Sequence, residues 1–334
     1  MNIGTPLRTL EIIGNDTSSI IKANHSEMLN KGTREFILSV REDIFTNRSF
    51  KLPEDWDTSW NIKLGPIWTP AELGSTYLAC WLLPEYLNPS DSDANICVQA
   101  NDRSGNGVVW KNTNTEATNP EFTPELNGFK GMEFKVFAGA SKYLYSLDES
   151  GDGELDPGTG DFAITMLVEF GEIGSAERHV LCSDNSRDFA LSVKEEGGFG
   201  IYKYKVYFDG SATTSGTSVD QSQPIIMTVG RSGGAQFMRH ANIAINDTGI
   251  TGTESVDIDN SQQFFIGARE HSTDRFGWWG FTGNIYEITF YNGTLSDDDR
   301  QSIEGYLAHK YAVTSYLHND HPYKTNPPRA GIPA

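Results

Sequence analysis

Chemistry in this chain would start from a few side chains. Asp148, Asp152 and Asp156 share the short run Asp148-Glu149-Ser150-Gly151-Asp152-Gly153-Glu154-Leu155-Asp156. Oxygen ligands at alternating positions around a glycine resemble the opening of a calcium loop. The twelfth position is Thr159 rather than a glutamate, so the run departs from the standard calcium-binding pattern. Two readings stand, an exposed acidic turn or a loop that takes Ca2+ through Asp148, Asp152 and Asp156. A second group is Arg269-Glu270-His271-Ser272-Thr273-Asp274-Arg275-Phe276-Gly277-Trp278-Trp279-Gly280. Neighbouring residues on a strand point to opposite faces, so one of the paired indoles faces outward. Trp278, Trp279, Arg275 and His271 are therefore the candidate contacts for a carbohydrate or a protein partner.

Other chemistries find no footing. The seven histidines, among them His179, His240, His271, His309, His318 and His321, form no H-x-x-x-H or H-E-x-x-H. Without that spacing they do not read as a metal set. There is no nucleophile elbow, P-loop or dinucleotide fingerprint. Cys80, Cys97 and Cys182 are widely spaced and odd in number, and read as small buried hydrophobes.

The elements that position these residues are strands. Phe162, Ile164, Met166, Val168 and Phe170 alternate. So do Phe189, Leu191 and Val193, then Tyr202, Tyr204, Val206 and Phe208. Ile225, Met227 and Val229 follow, then Ile243 with Ile245, and Tyr286, Ile288 and Phe290. Half-buried strands separated by Gly-, Ser-, Asn- and Asp-rich turns predict an all-β, two-sheet antiparallel sandwich. One helix is predicted from Ser296 to about Tyr311. Ser296 is its N-cap and Asp297, Asp298 and Asp299 lie in its first turn, where the helix dipole favours anions. Ile303, Tyr306 and Leu307 fall on one face of it.

The chain has 334 residues, ample for a large core, with 26 basic and 45 acidic side chains and a net charge of −19. That balance excludes duplex nucleic acid as the main partner, because phosphate binding needs a basic surface. It equally disfavours an anionic membrane. No apolar run approaches the ~20 residues of a membrane helix. The first residues show neither a basic n-region nor an apolar h-region, which predicts synthesis without a signal peptide.

The segment Gly283–Tyr311 carries a family likeness. Ile285-Tyr286-Glu287-Ile288-Thr289-Phe290-Tyr291 runs into Leu295-Ser296, Arg300, Ile303-Glu304, Tyr306-Leu307 and Lys310-Tyr311. It resembles the end of a concanavalin A-like, laminin-G-like jelly roll of tailed-bacteriophage virion structural proteins. Upstream, Trp68-Thr69-Pro70-Ala71-Glu72-Leu73 with Trp81-Leu82 resembles the opening of such domains, and Asp102-Arg103-Ser104-Gly105-Asn106-Gly107 resembles their glycine-rich turn. Leu83-Pro84 stands where an Asp-Ala is usual, and Ala100 replaces a Trp. The resemblance covers roughly residues 66–313.

The resemblance implies a concanavalin A-like sandwich over 60–313; outside it, short alternating stretches read as an N-terminal β arm or small docking domain over 1–59, and the polar, proline-rich end reads as an extended C-terminal tail over 314–334. It implies a non-enzymatic virion structural protein on the particle surface, a head decoration or head fibre, with a jelly roll that takes glycans. The alternative is a tail-fibre receptor-binding adhesin, and a glycan hydrolase comes third. Glucanase relatives carry paired carboxylates on one strand, and no predicted strand here does. The implied partners are other virion proteins through arm and tail, a host surface glycan, and the chain itself as a homotrimer. Neither nucleic acid nor membrane is expected as a partner, and Ca2+ is the one ion suggested.

Overall fold

The computed structural model describes residues 67–74, 77–89, 96–112, 118–122, 126–137, 140–147, 155, 157–183, 188–196, 200–208, 210–221, 223–242, 252–253, 257–258, 264–269 and 279–330, together with the five strands that precede them. Two compact units share the chain. One comprises Met1–Thr69 with Asn326–Ala334, the other Pro70–Thr325.

In the first unit, β1 (Leu7–Ile13) lies between β2 (Ser18–Asn24) and β4 (Ser49–Lys51), antiparallel to both. β3 (Glu35–Ile37) pairs in parallel with β5 (Asn61–Lys63). Ile67 bridges Arg329, and the Trp68 N–H donates to the Pro328 carbonyl at 3.2 Å, so the C-terminal residues belong to this unit.

The second unit is an all-β sandwich. Its strands are β6 (Leu78–Pro89), β7 (Cys97–Asp102), β8 (Val109–Lys111), β9 (Glu121–Phe122), β10 (Met132–Phe134), β11 (Val136–Phe137), β12 (Ala140–Ser141), β13 (Leu144–Leu147) and β14 (Phe162–Phe170). β15 (Arg178–Ser183), β16 (Phe189–Glu195), β17 (Tyr202–Phe208), β18 (Ser211–Ser218), β19 (Ile225–Ser232), β20 (Ala235–His240), β21 (Gly252–Thr253), β22 (Phe264–Ile266) and β23 (Gly283–Asn292) follow. One hydrogen-bonded path runs β18-β17-β16-β15-β22-β13-β8-β7-β6-β23-β14-β19-β20-β21. It folds over into two layers, β6-β23-β14-β19-β20 and β13-β22-β15-β16-β17, joined through β7 and β8.

The predicted alternation is what fills the space between them. Phe162, Ile164, Met166, Val168 and Phe170 of β14 share one buried cluster with Phe189, Leu191 and Val193 of β16 and Tyr204, Val206 and Phe208 of β17. Phe162 meets Phe189 edge-on at 5.1 Å, and Phe264 meets Phe290 at 5.2 Å. Ala100 and the three cysteines are buried, and the cysteines form no disulfide. Ile243 and Ile245 lie outside the described residues.

Helix α1 (Asp297–Lys310) closes the outer face of the first layer. The Ser296 hydroxyl accepts from the Asp299 N–H at 3.1 Å, the predicted cap. The residues that carry the family likeness dock it. Buried Glu287 accepts from the Trp81 indole N–H at 2.6 Å, Lys310 Nζ at 2.9 Å and the Tyr311 hydroxyl at 3.1 Å. Arg300 Nη1 donates to buried Glu304 at 2.6 Å. The turn residue Asp102 accepts from the backbone N–H groups of Trp81, Ser104, Asn106 and Gly107, pinning β6 to the β7–β8 turn. That turn needs φ of 96° at Gly105 and 81° at Gly107, which glycine adopts without steric cost.

The extended tail expected from 314 onward is corrected. Thr314–Tyr316 form a 3-10 turn, and the chain folds back over α1. His321 Nε2 lies 3.0 Å from Glu304, and His309 Nε2 lies 2.8 Å from the Tyr323 carbonyl. Tyr323 fills the space left by Gly305, where an added Cβ would meet its ring at 2.8 Å. The helix is thus buried well beyond the predicted stripe, including Arg300, Gln301, Glu304 and Gly305. His321 is buried against its own chain rather than solvated in a tail.

Candidate glycan-contact face

The outer face of β13-β22-β15-β16-β17 is largely buried, and the half-buried Glu177 and the exposed Trp279 lie at one end of it. Period-two alternation sends core residues inward and their neighbours outward. Tyr145, Phe265, Cys182, Ala190 and Tyr207 lie opposite one another across five strands and form a second buried cluster with Tyr143 and Ala268.

Polar groups gather at one end of this row. The Ser192 hydroxyl and the Tyr207 hydroxyl both donate to Glu177 Oε1, each at 2.6 Å. The His179 ring lies 6.2 Å from the Tyr207 ring. Burial pushes the Glu177 carboxyl up, but the two hydroxyl hydrogen bonds, with His179 and Lys205 nearby, outweigh it and hold the carboxyl below its usual value. This is a half-buried carboxylate kept ionised.

Trp279 adjoins it. The His179 N–H donates to the Trp279 carbonyl at 2.8 Å, and His179 bridges Gly280 in parallel. The indole is 38% exposed, and the Arg269 guanidinium sits 5.5 Å above it. An exposed apolar ring beside an oriented acceptor can bind a ligand with one apolar face and several hydroxyls.

Of the predicted contacts, Trp279 is placed here. Trp278, Arg275 and His271 lie outside the described residues. So do the calcium candidates Asp148, Asp152 and Asp156. Among the described residues no group of three or more His, Cys, Asp or Glu is arranged to hold a metal ion. Glu177, Ser192, Tyr207 and His179 escaped the sequence reading as a set. They are separated by up to 30 residues, and only the β15–β16–β17 register unites them.

No protein-family model matches the chain, and no curated protein matches it. Solved structures of similar fold do exist. A Trypanosoma rangeli sialidase in complex with 2,3-difluorosialic acid is 14% identical, with a TM-score of 0.44, over 67% of this chain and 32% of that one. Domain 4 of AbnA, an extracellular GH43 arabinanase from Geobacillus stearothermophilus, in complex with arabinotriose, is 14% identical over 68% and 97%, with a TM-score of 0.42. A heptameric SAP-like pentraxin from Limulus polyphemus is 12% identical over 54% and 83%, with a TM-score of 0.40. The chain thus spans about a third of that sialidase's length. These are likenesses of fold, and the fold is the predicted all-β sandwich. The expectation of a non-enzymatic protein is corrected and withdrawn: the structures of similar fold include sialidases, and a fold by itself does not decide whether a chain is an enzyme. No helix among the described residues is long and apolar enough to cross a membrane.

Proposed function

We propose that the chain is a glycan-binding jelly-roll module carried on the surface of a tailed-bacteriophage particle. The observation that carries glycan binding is the exposed Trp279 indole, joined through the buried His179 to the half-buried Glu177 carboxylate that Tyr207 and Ser192 hold in place. A sugar ring stacks its C–H face on the indole, and its hydroxyls donate to Glu177. Support for the particle comes from the sequence resemblance, whose motif residues Trp81, Glu287, Lys310 and Tyr311 form one helix-docking network, with Arg300 and Glu304 paired along the helix. In this reading the N-terminal arm and the C-terminal residues dock a homotrimer to other virion proteins.

A glycan array probed with wild type and Trp279→Ala tests the binding. Wild type is expected to bind a defined subset, and the variant to lose at least about tenfold in affinity, the scale of one aromatic contact. Equal binding by the two proteins removes the assignment of this face. Cryo-EM of purified particles tests the location, and absence of the protein from them overturns the virion reading.

A further inference from the structure

The far end of β23 carries a second exposed ring. β23 runs 10 residues from Gly283 to Asn292, so its ends lie about 30 Å apart. Trp279 precedes one end, and Gly293 follows the other. At the Gly293 end, neighbouring strands bring four residues into one row. The Asn292 N–H donates to the Tyr77 carbonyl at 2.8 Å, and the Gly293 N–H donates to the Asp161 carbonyl at 2.6 Å. Gly233 follows from β19, which pairs with β14. Tyr77, Gly293, Asp161 and Gly233 thus adjoin at the ends of β6, β23, β14 and β19.

Tyr77 is 53% exposed, more than Trp279 at 38%. A lone exposed ring is ordinary on a protein surface. This ring, however, is held in place. It lies against Gly293, where an added Cβ would be 3.4 Å from its Cδ1 and Cε1. Across Gly293 a carboxylate is held as well. Asp161 Oδ2 accepts from the Gly233 N–H at 2.9 Å and from the exposed Thr294 hydroxyl, and Oδ1 takes neither bond. Burial pushes the Asp161 carboxyl up, but the Gly233 N–H, the Thr294 hydroxyl, the Gly234 N–H and the Arg231 charge outweigh it and hold it below its usual value.

Size and chemistry choose the occupant. Tyr77 and Asp161 flank β23, two strand spacings or about 10 Å apart, with a residue that has no side chain between them. A stable protein interface takes about 800 Å² from each partner, far more than one ring and one carboxylate offer. A sugar ring suits the place. Its C–H face stacks on the tyrosine, and its hydroxyls donate to Asp161. Both protein groups are fixed beforehand, so little side-chain freedom is lost on binding. We propose that Tyr77 and Asp161 form a second sugar-binding site, at the opposite end of the sandwich from Trp279. It shares no residue with the Trp279 face, so either site can fail alone. Two sites on one chain engage neighbouring glycans together and raise avidity.

The test puts the full chain and its variants on an array of glucose, galactose, mannose, rhamnose and N-acetylglucosamine oligosaccharides. Trp279→Ala is expected to keep binding to some of them. Tyr77→Ala/Trp279→Ala and Asp161→Asn/Trp279→Ala should lose that remaining binding by at least about tenfold. Tyr77→Trp/Trp279→Ala should keep it, since an indole stacks as well. Tyr77→Ala removes an exposed ring, so its melting temperature should stay within a few degrees of wild type and its result speaks for the site alone. If Trp279→Ala is blank where wild type binds, this inference falls and the Trp279 face stands. Remaining binding that survives Tyr77→Ala also overturns it. A wild-type chain that binds nothing on the array overturns both sites.

Discussion

Glu177 shows how a residue is committed to one protonation state. Two hydroxyls converge on a single oxygen at 2.6 Å, and both come from strands whose side chains cannot turn away. The folded state prefers the ionised carboxyl, so the folded value lies below the unfolded one. The resulting stability is present above the unfolded value, ~4.3, and is lost as pH falls through the folded value. Glu177→Gln is therefore expected to melt below wild type at pH 7, with the gap narrowing steadily under about pH 4. A gap that stays constant across that range would mean the carboxylate contributes only packing. The thiols show the opposite commitment. Burial, then the Asp102 charge, pushes Cys80 up, and burial pushes Cys97 up to about 12. Neither supplies a thiolate at neutral pH, in keeping with the sequence reading of the cysteines as small core residues.

At the scale of elements, α1 is held by Glu287, which has no exposure of its own and satisfies three donors. Removing that carboxylate takes their buried acceptor from the Lys310 ammonium and the Trp81 indole N–H. Breaking a buried pair from one side costs about 3–5 kcal/mol. Glu287→Ala should lose stability on that scale in urea unfolding, and Glu287→Gln less, since the amide oxygen still accepts. A loss under about 1 kcal/mol would show the network to be water-filled. The strands and the helix with its cap were legible in the sequence, because period two and period 3.6 are written locally in residues such as Phe162–Phe170 and Ser296–Leu307. Two things were not. The second buried face of α1 depends on Tyr323 and His321 returning over Gly305 and Glu304, a contact that no local pattern announces. The Glu177 cluster depends on register, where a slip of one residue would send Ser192 and Tyr207 to the other face. The motif residues Glu287, Arg300, Glu304 and Asp102 were visible in the sequence as a likeness, and the structure gives them scaffold duties.

At the scale of the whole molecule, the core decides what can be removed. Every residue of the main buried cluster, from Ala79 to Phe290, falls within Pro70–Thr325. A unit of that length buries ~70% or more of the surface its unfolded chain exposes and can stand alone. The strands in residues 1–59 form one three-stranded sheet and part of a two-stranded pairing, which is marginal by itself. Deleting 1–59 is therefore expected to leave the melting temperature of the sandwich within a few degrees of the full chain. If the arm is the docking element, the same deletion should abolish incorporation into particles while glycan binding through Trp279 persists. Two measurements separate these claims. Calorimetry of the truncated protein tests the independence of the sandwich, and a lost transition would show that the first unit is part of its folding. Occupancy on purified particles tests the docking role, and loading at the level of the full-length chain would move that role away from the arm, leaving the C-terminal residues 326–334 as the next segment to delete.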